Sequence, residues 1–251
     1  MSRWWLALCV VASMGAASDT RRSGFDFMTP EVQAIQRDDA QNPAMLWVQE
    51  GAAAWERKSG SAGRACMDCH GAAAASMKGV ATRYPAFDAA TRRPITLAQR
   101  INACVVGSQG AVALAPESQE LLALESFVAM QSRGLPVAPP DDPRLAPFRE
   151  RGEKLYRQRI GQLDLSCAQC HDERAGAKLA GATIPQAHPT GYPIYRLEWQ
   201  GMGSLQRRLR GCMAGVRAEP FPYGAPELTE LELYLARRAS GMKVETPAVR
   251  P

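Results

Sequence analysis

Cys66-Met-Asp-Cys-His70 and Cys167-Ala-Gln-Cys-His171 decide how this chain of 251 residues is read, because one Cys-x-x-Cys-His pattern occurs twice at an offset of 101 residues. In such a motif two thiols form thioether bonds to the edge of a haem, and the histidine that follows reaches its iron. A lone motif competes with a zinc half-site. Two in a repeated frame predict two covalently bound haem c groups, attached through Cys66, Cys69, Cys167 and Cys170, with His70 and His171 as proximal iron ligands. The frame extends outward from the motifs. The same offset carries Gly51 to Gly152, Trp55 to Tyr156 and Gly60 to Gly161. Downstream, Arg100-x-x-x-Cys104 returns as Arg208-x-x-x-Cys212, and Pro116-Glu117-x-x-Glu120-Leu121 returns as Pro226-Glu227-x-x-Glu230-Leu231. The chain reads as one haem module written twice.

The expected fold is mainly α: two tandem cytochrome c-like haem domains, residues 19–133 and 148–251, joined by a Pro-rich linker, residues 134–147. Each Pro-Glu-x-x-Glu-Leu segment is predicted to open a helix, with Pro at the first helical position, acidic residues at the positive dipole end, and Arg133 or Arg237 and Arg238 at the other. Gly134 and Gly241 follow as stops. Leu121, Leu124 and Val128, like Leu228, Leu231, Tyr234 and Leu235, fall at helical spacing and are predicted to pack in the core. Pro136, Pro139, Pro140, Pro143 and Pro147 mark the linker, a run that cannot continue a helix. No strand-like alternation is sustained.

The apolar fraction of 46% is that of an ordinary globular protein, and the length favours two domains over one. A net charge of +5 suits an acidic partner or anionic substrate and does not indicate nucleic acid. Arg3, the apolar run Trp4 to Val11 and the small residues Gly15, Ala16 and Ala17 have the layout of a secretory signal peptide, residues 1–18, with cleavage expected near Ala17 or Ser18. That run is too short to span a bilayer, and no other apolar stretch is long enough, so the mature chain is expected to be soluble in the periplasm without a membrane span. With Cys9 assigned to the signal, only Cys104 and Cys212 stand outside the two motifs.

Those two cysteines are the candidates for the sixth iron ligand. A single further histidine, His188, rules out two bis-histidine sites, and no methionine recurs in the frame: Met77 maps to Lys178, Met130 to Ser240 and Met45 to Ala146. Cys104 and Cys212 do recur, which favours thiolate ligation at both irons over a Cys104 to Cys212 disulfide, because equivalent places in two modules put each cysteine beside its own haem. His188, in a Pro- and Gly-rich loop, suits a hydrogen bond to backbone or haem better than iron. The surroundings of the two cysteines differ. Only Arg100 is near Cys104 in sequence, whereas Arg207, Arg208, Arg210 and Arg217 surround Cys212. On a helix Arg208 lies one turn before Cys212 and presents a planar fork to an oxyanion, and the charge favours thiolate. Haem propionates or solvent are equally open partners for Arg207, Arg210 and Arg217, and a propionate role competes at Arg208, since Arg100 shares its pattern.

The run from Ile184 through Ala187-His-Pro-Thr-Gly-Tyr-Pro-Ile-Tyr-Arg-Leu-Glu-Trp199, followed by Arg208-x-x-Gly-Cys212-Met-Ala-Gly-Val-Arg217-Ala, resembles the SoxA family, the A subunit of the SoxAX cytochrome, and the likeness runs from about Arg37 to the C-terminus. The resemblance implies a periplasmic L-cysteine S-thiosulfotransferase that oxidatively couples thiosulfate to a cysteine of a carrier protein. In that family the cysteine matching Cys212 ligates the active-site haem as a persulfide, and the arginine matching Arg208 contacts substrate. Cys66, Cys69, His70 and Cys104 place the chain with the dihaem members. The implied partners are a small c-type cytochrome subunit (SoxX-like) and a sulfur-carrier complex (SoxYZ-like). A pure dihaem electron carrier and a thiosulfate dehydrogenase forming tetrathionate are the alternatives. A dihaem peroxidase fits less well, since its sites are richer in histidine.

Overall fold

The computed structural model describes residues 19–251, so the expected signal peptide, with Cys9, lies outside the described residues. A short helix, α1 (Pro30–Arg37), precedes the first module, which runs through α2 (Met45–Glu56), α3 (Cys66–His70), α4 (Ala73–Ser76), the hairpin of β1 (Ala86–Asp88) and β2 (Arg93–Ile95), α5 (Leu97–Gly107) and α6 (Gln119–Met130). The second module repeats this order. It comprises α7 (Ala146–Arg157), α8 (Cys167–His171), a small hairpin of β3 (Lys178–Leu179) and β4 (Ala182–Thr183), the hairpin of β5 (Ile194–Arg196) and β6 (Gly201–Gly203), α9 (Leu205–Gly215), α10 (Pro226–Arg238) and β7 (Ala248–Arg250). Among the described residues no helix is long and apolar enough to cross a membrane.

The duplicated glycines explain how each module is framed. Gly51 on α2 meets the Ala123 backbone of α6, and a Cβ there would stand 2.1 Å from the Ala123 carbonyl oxygen. Gly152 on α7 does the same against Glu230 of α10, with a distance of 2.0 Å. In both modules the lack of a side chain lets two helices touch backbone to backbone. One turn on, the aromatic that follows each glycine enters the core: Trp55 packs with Leu97 and Val128, and Tyr156 with Leu231, Tyr234 and Leu235. The helical stripes read from sequence are buried, Leu121, Leu124, Val128, Leu228, Leu231, Tyr234 and Leu235 all included.

The modules also grip each other. Met202 of β6 packs with Leu122 of α6 and Ala44, and Tyr195 of β5 meets Trp47 of α2 edge-on at 5.8 Å. Reciprocally, β2 of the first module contacts α10 of the second. Each hairpin is thus steadied by the other module. β5 pairs antiparallel with β6 and parallel with β7, which brings the C-terminus into a three-stranded sheet.

Two expectations need correction. Pro116-Glu117 does not open α6: Glu117 adopts a positive φ of 62°, and Ser118 is the cap, accepting from Leu121 N at 3.4 Å. The Glu117 carboxylate instead accepts from Ser204 N, at the start of α9, at 3.3 Å. Residues 134–147, read as the linker, are hydrogen-bonded to the end of the second module. Gly134 N donates to Val244 O and Val137 N to Met242 O, both at 2.8 Å, and Pro147 sits in the first turn of α7, where its missing N–H costs nothing. Residues 19–37, expected with the first domain, lie against the second: Arg21 donates to Arg238 O and Ser240 O, and α1 packs on β7. The strands are of two or three residues each, too short for alternation to register, and the fold is mainly α as expected.

Candidate functional site

Both haem motifs sit on one-turn helices whose starts are capped locally. Ala65 N donates to the Asp68 carboxylate at 2.8 Å before α3. Ahead of α8, Ser166 and Gln169 close a reciprocal box, with Ser166 Oγ accepting from Gln169 N at 3.2 Å and Ser166 N donating to Gln169 Oε1 at 2.9 Å. The caps place each pair of thiols and the adjacent histidine on a single turn. His171 Nδ1 lies 2.7 Å from the Pro185 carbonyl oxygen, which makes Nδ1 the protonated nitrogen and leaves Nε2 as the donor for a metal. In the first module Trp55 stands beside the His70 ring at 5.7 Å and donates to Gly71 O at 3.0 Å.

The six described cysteines are free thiols, and Cys104 and Cys212 are not joined to each other. Each lies with its own motif: Cys104 is close enough to Cys66, and Cys212 to Cys167, for their charges to interact. Cys212 is also within hydrogen-bonding reach of His171. Two thiols on a motif turn, an oriented imidazole and a nearby thiol have the chemistry to take a haem c, which Cys167 and Cys170 would attach and His171 and Cys212 would ligate. Cys66, Cys69, His70 and Cys104 form the corresponding set.

Electrostatics separate the two sets. Burial raises the Cys66 thiol above its ordinary value and pushes Cys167 up to about 11. Cys212 moves the other way. Burial opposes its ionisation, but the hydrogen bond to His171 and the charges of Arg208, His171 and Arg196 outweigh it and hold the thiol below its usual range. Cys212 and Arg208 share α9, whose start is fixed by Ser204 Oγ accepting from Arg207 N at 3.1 Å.

The structure sorts the other basic residues. Arg207 lies over the Trp199 ring at 4.1 Å, and Arg210 lies over Tyr223 at 4.5 Å while donating to Phe221 O. Both are packing residues. Arg217 contributes backbone, its carbonyl accepting from Gln162 N at 3.3 Å. His188 Nδ1 is 2.9 Å from Arg22 O, so this histidine fastens the N-terminal segment.

Two site residues were not legible in the sequence. One is Pro185, which acts through its carbonyl. The other is Arg196. In the first module Arg100 donates to Asp88 at 2.7 Å, and Asp88 ends β1 opposite Arg93. In the second, the residue ending β5 at that register, opposite Gly201, is Arg196. Among the described residues Arg208 has no carboxylate partner. Carrying the Arg100 to Arg208 spacing back along the chain, which also pairs Tyr84-Pro85 with Tyr192-Pro193, reveals the exchange.

Comparison with known proteins follows the same lines. The family model described as SoxA/TsdA, cytochrome c domain, matches residues 50–137 and again 151–244. The chain is 38% identical over 232 residues to the L-cysteine S-thiosulfotransferase subunit SoxA of Rhodovulum sulfidophilum, spanning 92% of this chain and 81% of that one. To the subunit of the same name from Pseudaminobacter salicylatoxidans it is 39% identical over 240 residues, 95% and 84% of the two chains. It superposes on a chain of the crystal structure of SoxXA from P. pantotrophus with a TM-score of 0.89, at 35% identity, over 93% of this chain and 88% of that one.

Proposed function

The chain belongs to the SoxA/TsdA cytochrome c family, and from that premise we propose that it is the dihaem SoxA-type subunit of an L-cysteine S-thiosulfotransferase, working at the second module. The observation that carries this reading is the place of Cys212: a half-buried thiol beside the second Cys-x-x-Cys-His turn, one helical turn from Arg208, which has no carboxylate partner among the described residues. Haem c, held through Cys66, Cys69, Cys167 and Cys170 with His70, Cys104, His171 and Cys212 at the irons, supplies one-electron acceptors. Export to the periplasm, a SoxX-like cytochrome partner and a SoxYZ-like carrier complete the proposed setting.

The chemistry assigned to this chain's residues is short. Arg208 binds the sulfonate end of thiosulfate through its fork and turns the outer sulfur toward Cys212. The Cys212 thiolate and that outer sulfur form a sulfur–sulfur bond, and two electrons leave. A carrier cysteine thiolate then attacks the outer sulfur, taking the thiosulfonate and returning Cys212 as thiolate. The positive charges of Arg208 and Arg196 favour the thiolate that enters the first step and leaves in the second. The Pro185 carbonyl accepts from His171 Nδ1 and so holds the ring in one orientation.

The test is thiosulfate-dependent electron release by the holoprotein with its partner cytochrome, with and without a carrier peptide bearing a free cysteine. A thiosulfonate on the peptide is the expected product. Tetrathionate with an unmodified peptide would establish a thiosulfate dehydrogenase instead. Neither product, with both haems still chemically reducible, would leave an electron carrier.

A further inference from the structure

We propose that Arg196 is a second anion-binding residue of the Cys212 site, closing with Arg208 a two-arginine clamp on the sulfonate group of the substrate. The inference rests on the reading of Cys212 and Arg208 given above, and adds the group that makes the site select a tetrahedral dianion.

The first module shows what this position does when no anion is wanted. There the residue ending the hairpin's first strand is Asp88, held in turn by Thr91 N at 2.9 Å and Thr91 Oγ1 at 2.8 Å, and it binds Arg100 at 2.7 Å. The arginine is neutralised, with one Nη held by the Asp88 carboxylate. The second module keeps the strand, the register and the arginine one turn before the cysteine, and reverses the charge at this one position. Two guanidinium groups now lie near enough for their charges to oppose each other at the place of the first module's ion pair.

That arrangement is unfavourable unless something negative joins them. The Arg196 side chain is only 13% exposed, and its Nε is buried with no hydrogen-bond partner. A buried N–H left without an acceptor is destabilising, more so on a charged group. Burial and the charge of Arg208 together push the Arg196 guanidinium below its ordinary value, the sign of a cation held in an unfavourable field. Tyr192, which senses both arginines, offers no counter-charge, since burial pushes its phenol up to about 12. The carboxylate that does reach Arg196, Glu198, takes one Nη at 2.8 Å and is itself 65% exposed, which leaves the inner edge of the guanidinium to another acceptor. The Trp199 ring lies 5.2 Å from the Arg196 guanidinium carbon and limits its swing.

An acceptor with several oxygens and two charges satisfies both forks at once; a thiol, an amide or a neutral ligand does not. The carboxylate of a haem side chain has related chemistry, and the experiment separates it from the substrate.

In the holoprotein with its partner cytochrome and carrier, Arg196→Gln is expected to raise the KM for thiosulfate about tenfold or more, the worth of a charge-assisted hydrogen bond, at unchanged covalent haem content. Arg196→Lys, which keeps charge and most of the volume, is expected to recover part of that loss. A KM within about twofold of wild type in Arg196→Gln, while Arg208→Ala remains impaired, overturns the role of Arg196 and leaves the Cys212 and Arg208 reading standing. Unchanged KM with lost haem, or with a changed pH dependence of the haem potential, assigns Arg196 to a haem carboxylate and also overturns it. Should Arg208→Ala itself bind thiosulfate normally, the underlying reading is what fails.

Discussion

The first and second modules share a glycine-mediated helix crossing, an aromatic one turn later, a capped motif helix, a hairpin, and a helix carrying Arg-x-x-x-Cys. They part at the hairpin. Asp88 neutralises Arg100 in the first; in the second Arg196 opposes Arg208, and their charges favour the Cys212 thiolate. The contrast teaches that a module suited to hold a redox centre acquires a place for an anion by a change of one side chain's sign. The fold that positions the group stays as it was.

The largest expected effect breaks the comparison at sulfur. Cys212→Ala should lower carrier modification by about a thousandfold or more, as loss of a covalent nucleophile does, with thioether-bound haem retained. Cys104→Ala should slow electron delivery and alter the first haem's spectrum while the carrier adduct still forms. Equal losses in the two variants, read by mass analysis of the carrier, would erase the distinction between the modules.

Next come the arginines. Arg208→Ala should raise the KM for thiosulfate roughly ten- to a hundredfold. Arg100→Ala should leave KM alone and cost about 1 kcal/mol in a denaturation curve, since it removes a partly exposed pair with Asp88.

The shared frame gives a prediction that should come out alike in both halves. Gly51→Ala and Gly152→Ala each press a methyl group into a facing carbonyl and should destabilise by about 1–3 kcal/mol, seen as a fall in Tm, with the helices forced apart.

The smallest effect sharpens the hairpin contrast. Hydrogen bonds from Thr91, then the hydrogen bond and charge of Arg100, hold the Asp88 carboxyl below its ordinary value of 3.8. A group depressed in the folded state stabilises fully above its unfolded value, and the contribution disappears as pH falls through the folded one. Asp88→Asn should therefore flatten the acid limb of the stability profile below about pH 4, and leave stability less sensitive to pH there than in wild type. The second module has no such term at Arg196.

Much of this was legible in the sequence because it is written in side chains of strong chemistry at fixed spacing. The paired motifs, the repeat of Cys104 as Cys212, and Arg208 one turn from Cys212 all follow from counting residues. What escaped reading has physical reasons. A three-residue strand carries no usable alternation, so Asp88 and Arg196 are matched only by carrying the Arg100 to Arg208 spacing back along the chain. Pro185 acts through its backbone, which no side-chain pattern reports. Pro116-Glu117 looks like Pro226-Glu227, yet Ser118 outcompetes the proline as a helix start, freeing Glu117 to reach Ser204 across the module boundary. The arginines around Cys212 formed one cluster in sequence and divide in space, because Trp199 and Tyr223 stack with Arg207 and Arg210.

The most direct measurement is peptide mass analysis of the holoprotein after exposure to thiosulfate and an electron acceptor without any carrier. A thiosulfate adduct confined to the Cys212 peptide, and released when a carrier thiol is added, is the expected result. An adduct on Cys104, or steady electron release that leaves Cys212 unmodified, would contradict the assignment of the sulfur chemistry to the second module.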